Sequence, residues 1–168
     1  MDKTQVTKDL ENKTLVIERV FAAPKEKLWR AYSDKALFEK WWGPEGWETT
    51  TKVFDFNPGG HIHYGMKCVD KAQGEWYGQE SWGVMEIESV DEPDRFSYKD
   101  YFADADGAPN KDMPSPQAVV ELVEEGGKTR MISRSVYETA EQLEQLIKMG
   151  MVEGFSSSTD KLEKLLAS

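Results

Sequence analysis

Residues 139–168 read TAEQLEQLIKMGMVEGFSSSTDKLEKLLAS, and their apolar positions recur at helical spacing from Leu143 through Met151 and Phe155 to Leu162 and Leu165. Thr139 and Gln142 occupy capping-box positions, which predicts a helix that starts there and runs roughly 28 residues. A helix of that length needs an apolar surface of matching length. The preceding residues supply it as strands.

From residue 50 the pattern has period two. TTKVFDF (50–56), HIHYGMKCV (61–69), EWYGQESWGVMEIESV (75–90), RFSYKDYF (95–102), QAVVELVEE (117–125) and KTRMISRSVY (128–137) alternate between tight turn signals such as Pro58-Gly59-Gly60 and Gly126-Gly127. One link, ADADGAPNKDMPSP (103–116), is too long for a minimal hairpin and is placed to gate an entrance. Upstream, TLVIERVF (14–21) is a further strand. Two short helices follow: one in APKEKLWRAYSD, and one capped by Ser33 or Asp34 and stopped by Gly43-Pro44. The expectation is an α+β fold, one domain over 14–168 preceded by a flexible tail at 1–13. One helix cannot cover both faces of a seven-stranded antiparallel sheet, so the sheet must curl around it. Gly150 and Gly154 carry no side chain on the helix face that meets the sheet. They either allow close packing or leave space, and the preferred reading is space: a pocket between helix and sheet.

Bulk properties narrow the function. The chain has 168 residues and a net charge of -10, which repels nucleic-acid phosphate and anionic lipid, so neither is an expected partner. No run of apolar residues reaches membrane-spanning length, and the N-terminus has no signal-peptide core. Cys68 is the only cysteine. These features point to a cytoplasmic protein without a disulfide framework.

The ordered set RVFAAPKEKLWRAYSDKALFEKWWGP, FDFNPGG, VMEIESVDEPDRFSY, GGKTRM and EGFSSSTDKLEKLLA resembles the SRPBCC (START-related) superfamily over about Val16 to Ala167. The branch it resembles most is that of homologues of the activator of heat-shock-protein-90 ATPase. The resemblance implies a helix-grip fold, a hydrophobic cavity, and either small-molecule binding or a chaperone-associated role in stress response. Two positions depart from the family pattern: Phe155 stands where Trp is usual, and Thr159 replaces a common Leu.

The expected cavity residues follow from alternation. From the sheet they are Phe54, Phe56, Tyr64, Met66 and Met85, then Tyr98, Asp100, Phe102, Met131 and Ser133, with Ser135 on the same face. Met151 and Phe155 come from the helix. In KWWGPEGWETT, Trp41 is expected as a core anchor, while Trp42 and Trp47 flank a Gly-Pro-Glu-Gly turn as a cavity rim.

Asp100 is the weak catalytic candidate. Alternation turns it inward, where a desolvated carboxyl becomes a hydrogen-bond partner or general base. The preferred alternative is a frayed or bulged strand that turns it to water. His61-x-His63 lies on the opposite strand face without a third ligand, so no metal and no cofactor is expected. No nucleophile elbow, phosphate loop or dinucleotide fingerprint is present. The reading leans to a non-enzymatic binder of a hydrophobic small molecule. The second reading is contact with a chaperone, or self-association, through Trp76, Tyr77 and Trp82; a cavity-based cyclase or hydrolase is third.

Overall fold

The computed structural model describes residues 4–168. Eight strands form one antiparallel sheet: β1 (Gln5–Asp9), β2 (Thr14–Phe21), β3 (Trp47–Phe54), β4 (His61–Cys68), β5 (Glu80–Asp91), β6 (Arg95–Ala103), β7 (Gln117–Glu125) and β8 (Lys128–Val136). Their order is β1-β2-β8-β7-β6-β5-β4-β3. Helices α1 (Lys25–Ser33) and α2 (Lys35–Trp41) join β2 to β3, while α3 (Ala140–Lys148) and α4 (Met151–Leu166) follow β8. Asp34 caps α2 by accepting from the Leu37 amide, and Thr139 caps α3 by accepting from that of Gln142.

Two expectations are corrected. The sheet has eight strands, because Gln5–Asp9, read as part of a flexible tail, pairs with β2 from Gln5↔Glu18 to Asp9↔Thr14. QVTKD buries no apolar face, so its only strand signal is main-chain pairing, which side chains do not announce. The terminal helix is two helices. Gly150 adopts the left-handed conformation (φ 91°), donating to the Ile147 carbonyl to close α3 and accepting from the Gly154 amide to open α4.

Register shifts between Thr51 and Val53 and between Ile87 and Ser89 are bulges, which bend and twist the sheet. Its concave side carries two separate apolar clusters. One gathers Trp29, Tyr32, Phe38, Trp41 and Phe96 beneath Leu162 and Leu166 of α4. The other packs Leu15, Ile17 and Tyr137 against Leu143 and Leu146 of α3. Phe155 touches both without merging them.

The C-terminal half of α4 is fixed to the sheet by polar bonds as well as by burial. Arg19, on the same β2 face as Leu15, Ile17 and Phe21, is 2% exposed. Its guanidinium donates to Thr159 Oγ1 at 2.9 Å, lies 2.8 Å from Asp160 Oδ1, and also bonds Glu163. The hydroxyl at 159 therefore supplies an acceptor where a leucine would leave the arginine facing hydrocarbon. Ser158 Oγ donates to the Trp41 carbonyl at 2.8 Å. Arg19→Ala is expected to lower the unfolding free energy in urea by about 1–3 kcal/mol through lost packing and lost hydrogen bonds, since the carboxylates of Asp160 and Glu163 are solvated once it is gone. Arg19→Met combined with Thr159→Leu should recover most of that loss, since an apolar pair replaces the polar one.

Candidate functional site

The gap between the two apolar clusters is a cavity of about 330 Å³. Its roof is the N-terminal half of α4 with the α3–α4 junction, from Met149 and Gly150 through Met151 and Gly154 to Phe155 and Ser158. A Cβ built on Gly154 would meet no atom within 4 Å, so this helix position faces open space. The walls are Leu15 and Ile17 of β2, Tyr64 and Met66 of β4, Tyr98 and Phe102 of β6, and Ser133 and Ser135 of β8. Trp42, Gly43 and Pro44 close one end; Pro114 and Pro116 come from the long loop.

Asp100 lies among these residues, turned inward as alternation placed it and not outward on a frayed strand. The sheet ladder explains why. Asp100 sits opposite Met85 in the β5 register, and its amide donates to the Pro116 carbonyl at 3.0 Å, so β6 stays regular past this point. Its carboxyl has a single long hydrogen bond, from Tyr64 Oη at 3.5 Å. Burial raises its pKa from 3.8 to about 7, the Tyr64 bond pulling weakly the other way. Tyr64, Tyr98 and Tyr137 surround the carboxyl, and burial, reinforced by its charge, raises all three phenols above their ordinary value. The phenol of Tyr64 crosses β5 over Gly83, where a Cβ would stand 2.5 Å from its oxygen.

Of the residues expected at the cavity, Trp42, Tyr64, Met66, Tyr98, Asp100, Phe102, Ser133, Met151 and Phe155 line it. The other five do not. Phe54 and Phe56 turn under the short helices, with ring centroids 5.6 Å from Phe38 and 5.7 Å from Trp29 respectively. Met85 and Met131 are fully buried in the first cluster, and Tyr32 Oη donates to the Met131 sulfur at 3.3 Å. Trp47 points away, its indole N–H donating to Gln73 Oε1 at 3.1 Å. Trp41 is fully buried, its indole N–H donating to the Ala31 carbonyl.

His63 faces outward yet is buried, because the 103–109 segment folds over it; its Nε2 lies 3.0 Å from the Asp104 carbonyl oxygen. Lys52 also binds that segment, at the Ala105 carbonyl, so the long loop is pinned to the outer face and only its last residues reach the cavity. Among the described residues, no group of three His, Cys, Asp or Glu is placed to hold a metal ion. No helix among them is long and apolar enough to cross a membrane.

Sequence reasoning missed Tyr137, although it continues the Met131, Ser133, Ser135 alternation that would have found it. It also missed Leu15 and Ile17, whose strand neighbours the cavity only because β2 pairs with β8.

Residues 22–167 match the family described as Activator of Hsp90 ATPase homolog 1-like protein. No protein of curated function matches the chain. Among solved structures, Protein Ms6760 from Mycobacterium smegmatis is 39% identical, with 97% of this chain and 96% of that one covered and a TM-score of 0.87. A protein from Arthrobacter aurescens is 30% identical, covering 97% and 91% at a TM-score of 0.87. The AHSA1 protein from Silicibacter pomeroyi is 26% identical, covering 92% and 97% at a TM-score of 0.70.

The buried carboxyl makes stability depend on pH. Below the unfolded value of 3.8 both states hold the proton, and the folded form carries no penalty. As pH rises towards about 7, the unfolded chain ionises first, so this group's contribution to stability falls, then levels off. Asp100→Asn is therefore expected to stabilise the protein by about 2–4 kcal/mol near pH ~8 and by almost nothing near pH ~3. Urea unfolding at the two pH values checks this; an equal effect at both would contradict it.

Proposed function

The chain belongs to the Activator of Hsp90 ATPase homolog 1-like family, and we propose that it binds a small hydrophobic molecule in the chamber between α4 and the curved sheet. The observation that carries this reading is Gly154. Gly154 closes the first turn of α4, where a glycine costs up to about 1 kcal/mol relative to alanine, and here no neighbour comes near enough to require it. A small residue stands where a larger one would occupy the chamber. The volume, about 330 Å³, lies at the lower end of the range for small-molecule pockets. Met66, Met149 and Met151 give the wall flexible thioether side chains that adjust to an irregular guest. Cys68, a buried free thiol, suits the reducing cytoplasm that this reading assumes.

Gly154→Leu separates binding from folding. The native protein is expected to bind a hydrophobic fluorescent dye saturably. The variant should bind it at least about tenfold more weakly, as expected when side-chain volume displaces a guest. Its thermal midpoint should be unchanged or higher, because the substitution improves helix propensity. Equal dye binding by the variant, or no saturable binding by the native protein, would refute the reading.

A second reading rests on one surface feature. Trp76 and Tyr77 are 56% and 48% exposed beside a short 3₁₀ turn, as an aromatic contact for a chaperone or a second copy would be. Trp82 does not belong to this patch, since it packs beside His63 with Lys52 Nζ 4.7 Å from its ring centre. If the surface is the functional element, Trp76→Ala with Tyr77→Ala will abolish capture of a purified Hsp90-type chaperone while dye binding persists; unchanged capture removes this patch from consideration.

A further inference from the structure

Resting on the binding reading above, we infer that the guest carries a protonated amine on its hydrophobic body and that Asp100 is the counter-ion that receives it. The lining of the chamber contains one carboxylate and no Lys, Arg or His. An anionic head group would find no cation there and would stand against a like charge. A pure hydrocarbon would leave the carboxylate desolvated with one 3.5 Å bond from Tyr64, an arrangement that gains nothing from the guest. An ammonium group supplies both missing elements. Its charge pairs with the carboxylate, and its N–H groups reach lone pairs that the protein leaves unused.

The surroundings favour the same chemistry. Trp42, Tyr64 and Tyr98 line the same chamber as the carboxyl, and aromatic rings attract cations. The hydroxyls of Ser133 and Ser135, on β8 two strands away from Asp100, add neutral acceptors to the same chamber. At longer range, 21 basic against 31 acidic residues give -10, which draws cations towards the protein and keeps anions away.

The groups facing Asp100 are Tyr64 from β4, Tyr98 from its own strand and Tyr137 beyond β8, all with phenols held protonated through the neutral range. From α4 the chamber receives only uncharged side chains, Met151, Phe155 and Ser158. Asp100 is thus the one group here that changes charge near neutrality, and amine binding should follow its ionisation.

Three probes of matched shape test this by titration calorimetry: naphthylmethylamine, naphthylmethanol and naphthoate. The amine is expected to bind at least about tenfold more tightly than the other two near pH ~8, the usual advantage of a charge-assisted bond. Its affinity should fall about tenfold per pH unit below about 7, with the alcohol unaffected. Asp100→Asn should remove the preference for the amine over the alcohol. The pH profile of the native protein supplies the same test should that variant fold poorly. Alcohol or naphthoate binding as tight as amine binding would overturn the counter-ion assignment while leaving the chamber a binding site. If none of the three binds, both this inference and the binding reading fail.

Discussion

The guanidinium of Arg19 sits on the concave face of β2, sealed from water, and holds α4 through Thr159, Asp160 and Glu163. Taking an arginine out of solvent is expensive unless its donors find acceptors. Here the helix supplies them from residues at i, i+1 and i+4, Glu163 lying one turn beyond Thr159 and Asp160 and within reach of both. Only Nε remains without a partner. The arrangement fixes the rotation of α4 about its axis as well as its distance from the sheet. A slide along the strand would break several charged contacts together, whereas apolar packing alone tolerates small shifts.

With Leu162, Leu166 and the Ser158–Trp41 bond acting alongside Arg19, the C-terminal half of α4 is anchored. Among the described residues, the N-terminal half carries no ion pair of this kind and is held by neutral bonds, Ser157 Oγ accepting from the Glu45 amide at 2.8 Å and Tyr137 Oη donating to the Met151 sulfur at 3.5 Å. Gly150 breaks the path from α3, so α3 packs its Leu143 and Leu146 onto a separate patch of sheet. The start of α4 then spans two clusters that it cannot join, because Gly154 brings no side chain to the gap. The chamber is therefore a product of geometry at both ends of one helix: a clamp at one end and a left-handed glycine at the other.

The sequence carried most of this, unevenly. Alternation along 95–102 puts Asp100 on the face of Tyr98 and Phe102, although the preferred reading frays the strand and turns it to water. The helical stripe marks Met151 and Phe155. Period is local, whereas the pairing that keeps β6 regular past Asp100 is not. Arg19 shares a strand face with Leu15, Ile17 and Phe21, so its burial was also implied by period. Its acceptors lie some 140 positions later, however, and nothing local says that a lone arginine among hydrophobics will find them. Gly150 shows the converse difficulty. A glycine on a helix face serves close packing or termination equally well, and the choice between them is made by what lies opposite. Phe54, Phe56, Met85 and Met131 do face inward, but inward covers both solid core and void, and only the full arrangement of helices separates the two.

A void of this kind has an energetic consequence. An empty apolar cavity costs roughly 24 cal/mol per Å³ in core-truncation series. The chamber here, about 330 Å³, is partly open to solvent, so its cost lies well below what that coefficient gives for a sealed core, yet it still weighs against the 5–15 kcal/mol that typically holds a domain together. Asp100 adds a further penalty whenever it is charged without a partner. Leucine at 154 and an amide at 100 would relieve both by single substitutions that the local backbone accepts. On the proposed binding reading, a hydrophobic guest with a cationic group would relieve both at once, filling the chamber and pairing with the carboxylate, so binding would add stability that grows with occupancy.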